Sequence, residues 1–226
     1  MNAGLPVRFA GIIFDFDGVL IESEYLGNKH IADYLTRIGH PTSTEESMAN
    51  FMGLSGKHFI DAIEGWIGRP LPDDFHAERE SVDRQAFEQG IGAVAGAVAF
   101  VAALPPDLPI AIASSSNTRW IRRHLDHIGL ADRFGDRIFS GREHVRNGKP
   151  APDIYHHAAA ALDLVIADCA ILEDSPVGAT GAVASGAFVI GLVAGSHCPP
   201  DHDRVLVAKG VDAIARDFQD VARLIA

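Results

Sequence analysis

Lysine is scarce in this chain, at four residues in 226, and basic residues of both kinds number 19 against 30 acidic ones. The formal net charge of −11 excludes the basic face that a nucleic-acid binder needs to neutralise phosphates. It does not exclude a small anionic ligand, because a divalent cation and one or two local cations can reverse the sign of a pocket inside an acidic molecule. Cysteine is rarer still. Cys169 and Cys198 are too few for a disulfide framework. No apolar run reaches the ~20 residues of a membrane span, and the opening MNAGLPVRFAGIIF lacks the charged-then-apolar order of a secretory signal. These absences set the expectation of a cytoplasmic protein with neither membrane nor nucleic acid as partner, and with the monomer as default state.

What is present is the balance of a soluble globular protein, 47% apolar and 22% charged. The length suits one large domain, or one domain carrying a smaller insertion. Short apolar runs at 10–14, 110–113, 170–172 and 188–193 do not alternate, as strands buried on both faces do not; 138–139 is a weaker candidate. Helical patterns separate them, with Ile121, Leu125 and Ile128 on one face and Ile154, Ala158, Ala161 and Leu162 on another. The alternation predicts a doubly wound, parallel α/β sheet, whose sites lie beyond the carboxyl ends of its strands. One segment breaks the alternation. From 22 to 89 no strand pattern occurs, only amphipathic helix spacing such as Ile31, Tyr34, Leu35 and Ile38, interrupted at Gly39-His40-Pro41 and Gly68-Arg69-Pro70. It is too long for a loop. The expected organisation is therefore an α/β core of 1–21 and 90–226 with an all-helical cap inserted at 22–89. A last helix is expected after Asp217, with Phe218, Val221, Leu224 and Ile225 facing inward.

Four strand ends carry chemistry-bearing side chains. Asp15 and Asp17, in Phe14-Asp15-Phe16-Asp17-Gly18, sit two apart and so project together from an extended chain. Such carboxylates repel unless a cation lies between them or one holds a proton. An acidic turn is the plain alternative. Ser114, Ser115, Ser116 and Asn117 follow the second run, where hydroxyls and free helix N–H groups can cradle a phosphate or simply cap the next helix. Lys149 sits in Asn147-Gly148-Lys149-Pro150, where a rigidly held ammonium can neutralise a phosphate or a carboxylate, or lie in solvent. Glu173 and Asp174 end a strongly apolar run, a pairing suited to oxygen-coordinated Mg²⁺ or to an acidic helix cap.

The order of these motifs, FDFDGVL, then the serines, then GKPAPDIY, then LEDS, resembles the haloacid dehalogenase superfamily over nearly the whole chain. A helical insert directly after the first motif is similar to its subgroup with a C1-type cap, which includes β-phosphoglucomutase, phosphoglycolate phosphatase and sugar-phosphate phosphatases. The resemblance implies that Asp15 attacks phosphorus and becomes an aspartyl phosphate, while Asp17 serves as general acid and then base. Ser114, Ser115 and Lys149 would hold the phosphoryl oxygens. Mg²⁺ would be held by Asp15, the backbone carbonyl of Asp17, and Asp174, with Glu173 as a direct or water-mediated ligand. Asp17 argues against dehalogenation, in which halide leaves unprotonated, and against the phosphonate-cleaving relatives, which carry alanine there.

The acceptor of the phosphoryl group is then water, in a phosphatase, or a sugar hydroxyl, in a mutase of the β-phosphoglucomutase type. Where that mutase grips a distal phosphate with arginine, this chain has Gly56, and the neighbouring Lys57 cannot copy a guanidinium fork. Its Ser-Lys-Asn stretch reads Ser116-Asn117-Thr118 here. Two absent cations favour a phosphatase for small phosphorylated metabolites, with Ser23, Ser55, Gly56 and Lys57 of the cap, and Ser116 and Asn117 at the rim, as candidates for substrate selection. The stretch His197-Cys198-Pro199-Pro200-Asp201-His202 lacks regular ligand spacing and reads as a surface loop. Trp66 and Trp120 read as core or interface residues.

Overall fold

The computed structural model describes residues 5–52, 54 and 56–226. The chain divides into two compact units, one formed by the segment up to Glu22 together with Ile91–Ala226, the other by Ser23–Gly90.

The larger unit contains a six-stranded, wholly parallel sheet. Its strands are β1 (Gly11–Phe14), β2 (Ile110–Ser114), β3 (Ile138–Ser140), β4 (Cys169–Glu173), β5 (Phe188–Leu192) and β6 (Ala213–Ala215), in the order β3-β2-β1-β4-β5-β6. Every residue of β1, β2 and β4 is buried, which is why those runs read as continuous rather than alternating apolar sequence. β6 was not expected: it is a three-residue, mostly half-buried edge strand with too little apolar sequence to announce itself. Apolar side chains of the sheet, including Ile13, Ile171 and Val189, pack with Ile154, Tyr155 and Ala158. Parallel register sets Phe14 against both Ile112 and Leu172, so β1, β2 and β4 end within two residues of one another at the same edge of the sheet.

The other unit is helical, with α1 (Ser23–Arg37), α2 (Thr44–Phe51), α3 (Gly56–Ile67) and α4 (Phe75–Gln89). The expected face of α1 is its buried one: Ile31, Tyr34 and Leu35 join Phe51, Phe59, Ile63 and Phe75 in a separate core. Ser43 and Glu46 form a reciprocal capping box that starts α2. Some buried polar groups here are paired, Ser47 Oγ with Asn28 Oδ1 at 3.1 Å and Tyr34 OH with Asp74 Oδ1 at 2.6 Å, whereas the buried His30 Nε2 has no hydrogen-bond partner. Trp66 lies against this core with its Nε1 donating to Thr42 Oγ1 at 3.1 Å.

The remaining helices belong to the α/β unit: α5 (Ala97–Ala103), α6 (Thr118–His127), α7 (Ala131–Phe134), α8 (Asp153–Ala161), α9 (Pro176–Ser185), α10 (His202–Ala208) and α11 (Phe218–Ile225). Asp217 caps α11 by accepting from Asp220 N, and Phe218, Val221 and Ile225 are buried while Leu224 is half-buried. Among the described residues no helix is long and apolar enough to cross a membrane.

Candidate active site

Asp15 is the first residue past β1. Its N–H still donates to Leu172 O at 2.9 Å, so the backbone is held as a strand while the side chain passes the sheet edge. Asp15 is buried, and so is Lys149, whose Nζ lies 2.5 Å from Asp15 Oδ1 and 2.5 Å from Glu173 Oε1. The ammonium also sits 5.2 Å from the centre of the Tyr155 ring. Tyr155 donates its hydroxyl to Glu173 Oε1 at 2.6 Å, and Ser175 donates N–H and Oγ–H to Glu173 Oε2 at 3.3 and 3.2 Å. Glu173 is thus clasped on both oxygens. A Cβ at position 178 would run into its carboxylate, which is why α9 has glycine there.

Asp17 has different company. Ser116 Oγ donates to its Oδ2 at 2.6 Å, Ser114 Oγ stands 3.4 Å from the same oxygen, and Trp120 Nε1 donates to Oδ1 at 3.3 Å. All three donors are neutral. Ser116 N in turn donates to Ser114 Oγ at 2.9 Å. Asn117 accepts from Trp120 N at 2.8 Å and so caps α6, while Ser115 is exposed.

Asp174 completes the cluster. Its Oδ2 lies 2.7 Å from His197 Nε2, its backbone carbonyl accepts from His202 Nε2 at 2.6 Å, and its buried Oδ1 has no hydrogen-bond partner. Gly18, with φ +80°, turns the chain tightly beneath it, and a Cβ there would strike both Asp174 Oδ2 and the His197 ring. The surface-loop reading of His197 and His202 is corrected here: both rings are buried, because their N–H donors serve Asp174.

Burial pushes the Asp15 carboxyl well above the usual carboxylate range, against the pull of Lys149 and with the charges of Glu173, Asp174 and Asp17 adding to the rise. Asp174 is raised in the same way, by burial first and then by Glu173. Burial opposes the charge on Lys149, but Asp15 and Glu173 outweigh it and hold the ammonium above its ordinary value. Two of the buried carboxylates, Asp15 and Glu173, thus share one ammonium. Asp15, Glu173 and Asp174 each offer an oxygen within 4.8 Å of the others, all three residues being buried. This set fits a hard divalent cation, since the donors are all oxygen, the site is short of positive charge, and Asp174 Oδ1 still lacks a partner.

The α/β unit therefore brings together Asp15, Asp17, Ser114, Ser116, Lys149, Glu173 and Asp174. Ser23, Gly56 and Lys57 belong to the helical unit, where Lys57 forms an exposed ion pair with Asp61 at 2.6 Å; Ser55 lies outside the described residues. Sequence reasoning assigned no role in the site to Tyr155, Trp120, His197 or His202. Tyr155 closes the GKPAPDIY motif six residues after Lys149, but nothing in that spacing shows that its hydroxyl reaches Glu173.

A family model described as haloacid dehalogenase-like hydrolase matches residues 9–186, a span that contains all four strand-end motifs. The chain belongs to that family. It is 26% identical over 195 residues to 6-phosphogluconate phosphatase of Escherichia coli K12, covering 85% of this chain and 86% of that one. To hexitol phosphatase A of the same organism it is 29% identical over 211 residues, covering 92% and 94%. A haloacid dehalogenase-like protein of Agrobacterium tumefaciens C58 superposes with a TM-score of 0.88 at 30% identity, over 96% of this chain and 97% of the other. The chain is accordingly a haloacid dehalogenase-like hydrolase with phosphatases among its relatives, and it has the α/β fold of the family.

Proposed function

We propose that this enzyme hydrolyses small phosphorylated metabolites, sugar or sugar-acid phosphates, through an aspartyl phosphate on Asp15 with Mg²⁺ as cofactor. The observation that carries the reading is the contrast between two carboxylates only two residues apart. Asp15 is buried against an ammonium, and Asp17 is half-buried among neutral hydroxyl and indole donors. Opposed surroundings are how neighbouring acids are divided into nucleophile and proton carrier. The relatives named for 6-phosphogluconate and for hexitols support the substrate class.

In the first step a carboxylate oxygen of Asp15 attacks phosphorus, the ester P–O bond breaks, and the departing alkoxide takes a proton from the Asp17 carboxyl. In the second, Asp17 accepts a proton from water as its oxygen attacks phosphorus, the Asp15–phosphorus bond breaks, and inorganic phosphate forms. Covalent catalysis of this kind divides one hard displacement into two easier ones. Lys149 offsets the charge of Asp15 and of the phosphoryl oxygens, while Glu173, held by Tyr155 and Ser175, keeps the ammonium in place. The Ser114 and Ser115 region supplies hydroxyl and N–H donors to the transferred group. Mg²⁺ held by Asp15, Asp174 and the backbone carbonyl of Asp17, with Glu173 direct or through water, would supply electrostatic stabilisation of the charge-rich transition state. Substrate choice is assigned to Ser23, Ser55, Gly56 and Lys57 of the helical unit.

The test is phosphate release from a panel of small phosphoesters, with Mg²⁺ or with EDTA, with Asp15→Asn in parallel. The expected result is release that requires Mg²⁺ and falls by on the order of 10⁴-fold or more in Asp15→Asn. Retained turnover in that variant would falsify the mechanism. The panel includes β-glucose 1-phosphate with a bisphosphate primer; isomerisation without net phosphate release would assign the enzyme to the mutases instead.

A further inference from the structure

We infer that His197 is a positioning residue that locks the Asp174 carboxylate so that Oδ1 alone is presented to the cation. The inference rests on the metal-dependent reading above and adds to it a residue outside the four strand-end motifs.

A slot for the imidazole is built from distant parts of the chain. A Cβ at Gly18 or at Gly195 would strike the His197 ring, so two glycines far apart in sequence flank it. The loop that delivers the ring is itself fastened, since Ser196 donates its N–H and Oγ–H to Glu22 Oε2 at 3.0 and 2.6 Å. The ring is buried, and Nε2 reaches Asp174 Oδ2 at 2.7 Å. A carboxylate only accepts, so this nitrogen carries the proton and donates. His202 Nε2 stands 2.6 Å from the Asp174 carbonyl, which also only accepts, so backbone and side chain of one residue are gripped by two buried imidazoles.

With Oδ2 committed to His197, the carboxylate cannot rotate without breaking that bond. Asp174 Oδ1 is the one carboxylate oxygen among the buried side-chain atoms of the described residues with no hydrogen-bond partner. Burial of such an atom is unfavourable until something positive meets it. Partners in the outer shell of a metal site commonly change its affinity 10- to 100-fold when removed, because they fix the orientation of the ligand.

The experiment measures Mg²⁺ affinity of the full-length chain by isothermal titration calorimetry, with no substrate present. His197→Phe keeps a ring in the slot and deletes the donor; His197→Gln keeps an N–H near the Nε2 position. Metal-free thermal unfolding followed by circular dichroism shows which variants are folded, and His197→Ala replaces the Phe variant if that ring does not fit. The expected result is Mg²⁺ affinity lowered about 10- to 100-fold in the donor-less variant and within about threefold of wild type in His197→Gln. Turnover of the donor-less variant should recover at high Mg²⁺, with KM for the phosphoester unchanged. Wild-type affinity in the donor-less variant overturns the inference, as does equal impairment of the Gln variant, which would make the ring a packing element. Asp174→Asn is titrated alongside. If it loses Mg²⁺ while the His197 variants do not, only the positioning role fails; if it binds as tightly as wild type, the metal reading under the proposed function fails with it.

Discussion

The two units bury polar groups by opposite rules. The helical unit closes on an aromatic core, and its buried pairs, Ser47 with Asn28 and Tyr34 with Asp74, involve at most one charge each. Its lysines lie outside, paired with aspartates one turn away, Lys29 with Asp33 and Lys57 with Asp61. The α/β unit instead crowds carboxylates around Lys149 at the carboxyl end of a sheet whose own core is apolar. The first arrangement serves stability. The second keeps an excess of negative charge in a buried place, which costs stability and which a bound cation would offset.

That contrast can be broken at its strongest point with Lys149→Ala. Removing the ammonium leaves Asp15 and Glu173 buried without their partner, so metal-free stability should fall by roughly 3–5 kcal/mol and turnover by on the order of 10²–10³-fold. Urea unfolding in EDTA and kcat at saturating Mg²⁺ measure the two effects. The matched change in the helical unit, Lys57→Ala, should leave unfolding unaltered, because that ion pair is exposed. A comparable loss in both would erase the distinction drawn here.

Next in size is Phe75→Ala. Phe75 is fully buried and meets the Tyr34 ring edge-on at 5.1 Å and the Phe59 ring at 6.3 Å. The truncation should cost about 3–5 kcal/mol in unfolding free energy. Mg²⁺ affinity measured calorimetrically should stay within about threefold of wild type, since every proposed ligand lies in the other unit.

The smallest expected effect is a pH dependence. Burial depresses His124 from its ordinary value near 6.5 to about 4, and its Nδ1 accepts from Ile91 N at 3.3 Å. The folded state resists protonation that the unfolded state accepts, so this residue's contribution is intact above pH 6.5 and is lost as pH falls towards 4. The loss should be on the order of 1 kcal/mol. Asp15 and Asp174, raised by burial, act in the reverse sense, so the readout is the difference between wild type and His124→Gln across that window in EDTA. Parallel curves would remove His124 as the cause.

Much of the α/β unit was legible because parallel strands buried on both faces write themselves as unbroken apolar runs, and because the site residues lie next to those runs in sequence. Asp15, Ser114, Glu173 and Asp174 stand at the ends of those runs, and with Lys149 they could be singled out by the joint order of their motifs. Trp120, Tyr155 and His197 could not, because each acts through a side chain that crosses to another element, and such reach is set by packing rather than by spacing. Trp120 extends from the first turn of α6 to Asp17, and His197 comes from beyond β5 to Asp174. Strand β6 escaped for a different reason. At an edge, a strand of three residues with only Ala215 fully buried is too short to leave an apolar signature. The end of α2 and the start of α3 were likewise invisible, since Met52-Gly53-Leu54 carries no proline and only one glycine.

One small feature of the α/β unit reaches furthest. Ile21 bridges Ala93, and Glu22 N donates to Gly92 O at 3.0 Å, so the chain returns to the α/β unit beside the point where it departed. To the sheet, whatever lies between those two points is a closed excursion whose length and content do not register. Selection can therefore lengthen, shorten or exchange the excursion without redesigning the chemistry, much as a handle accepts different blades. With substrate choice assigned to the helical unit as proposed, a lineage built on such a junction could change what it recognises while inheriting unaltered how it cuts.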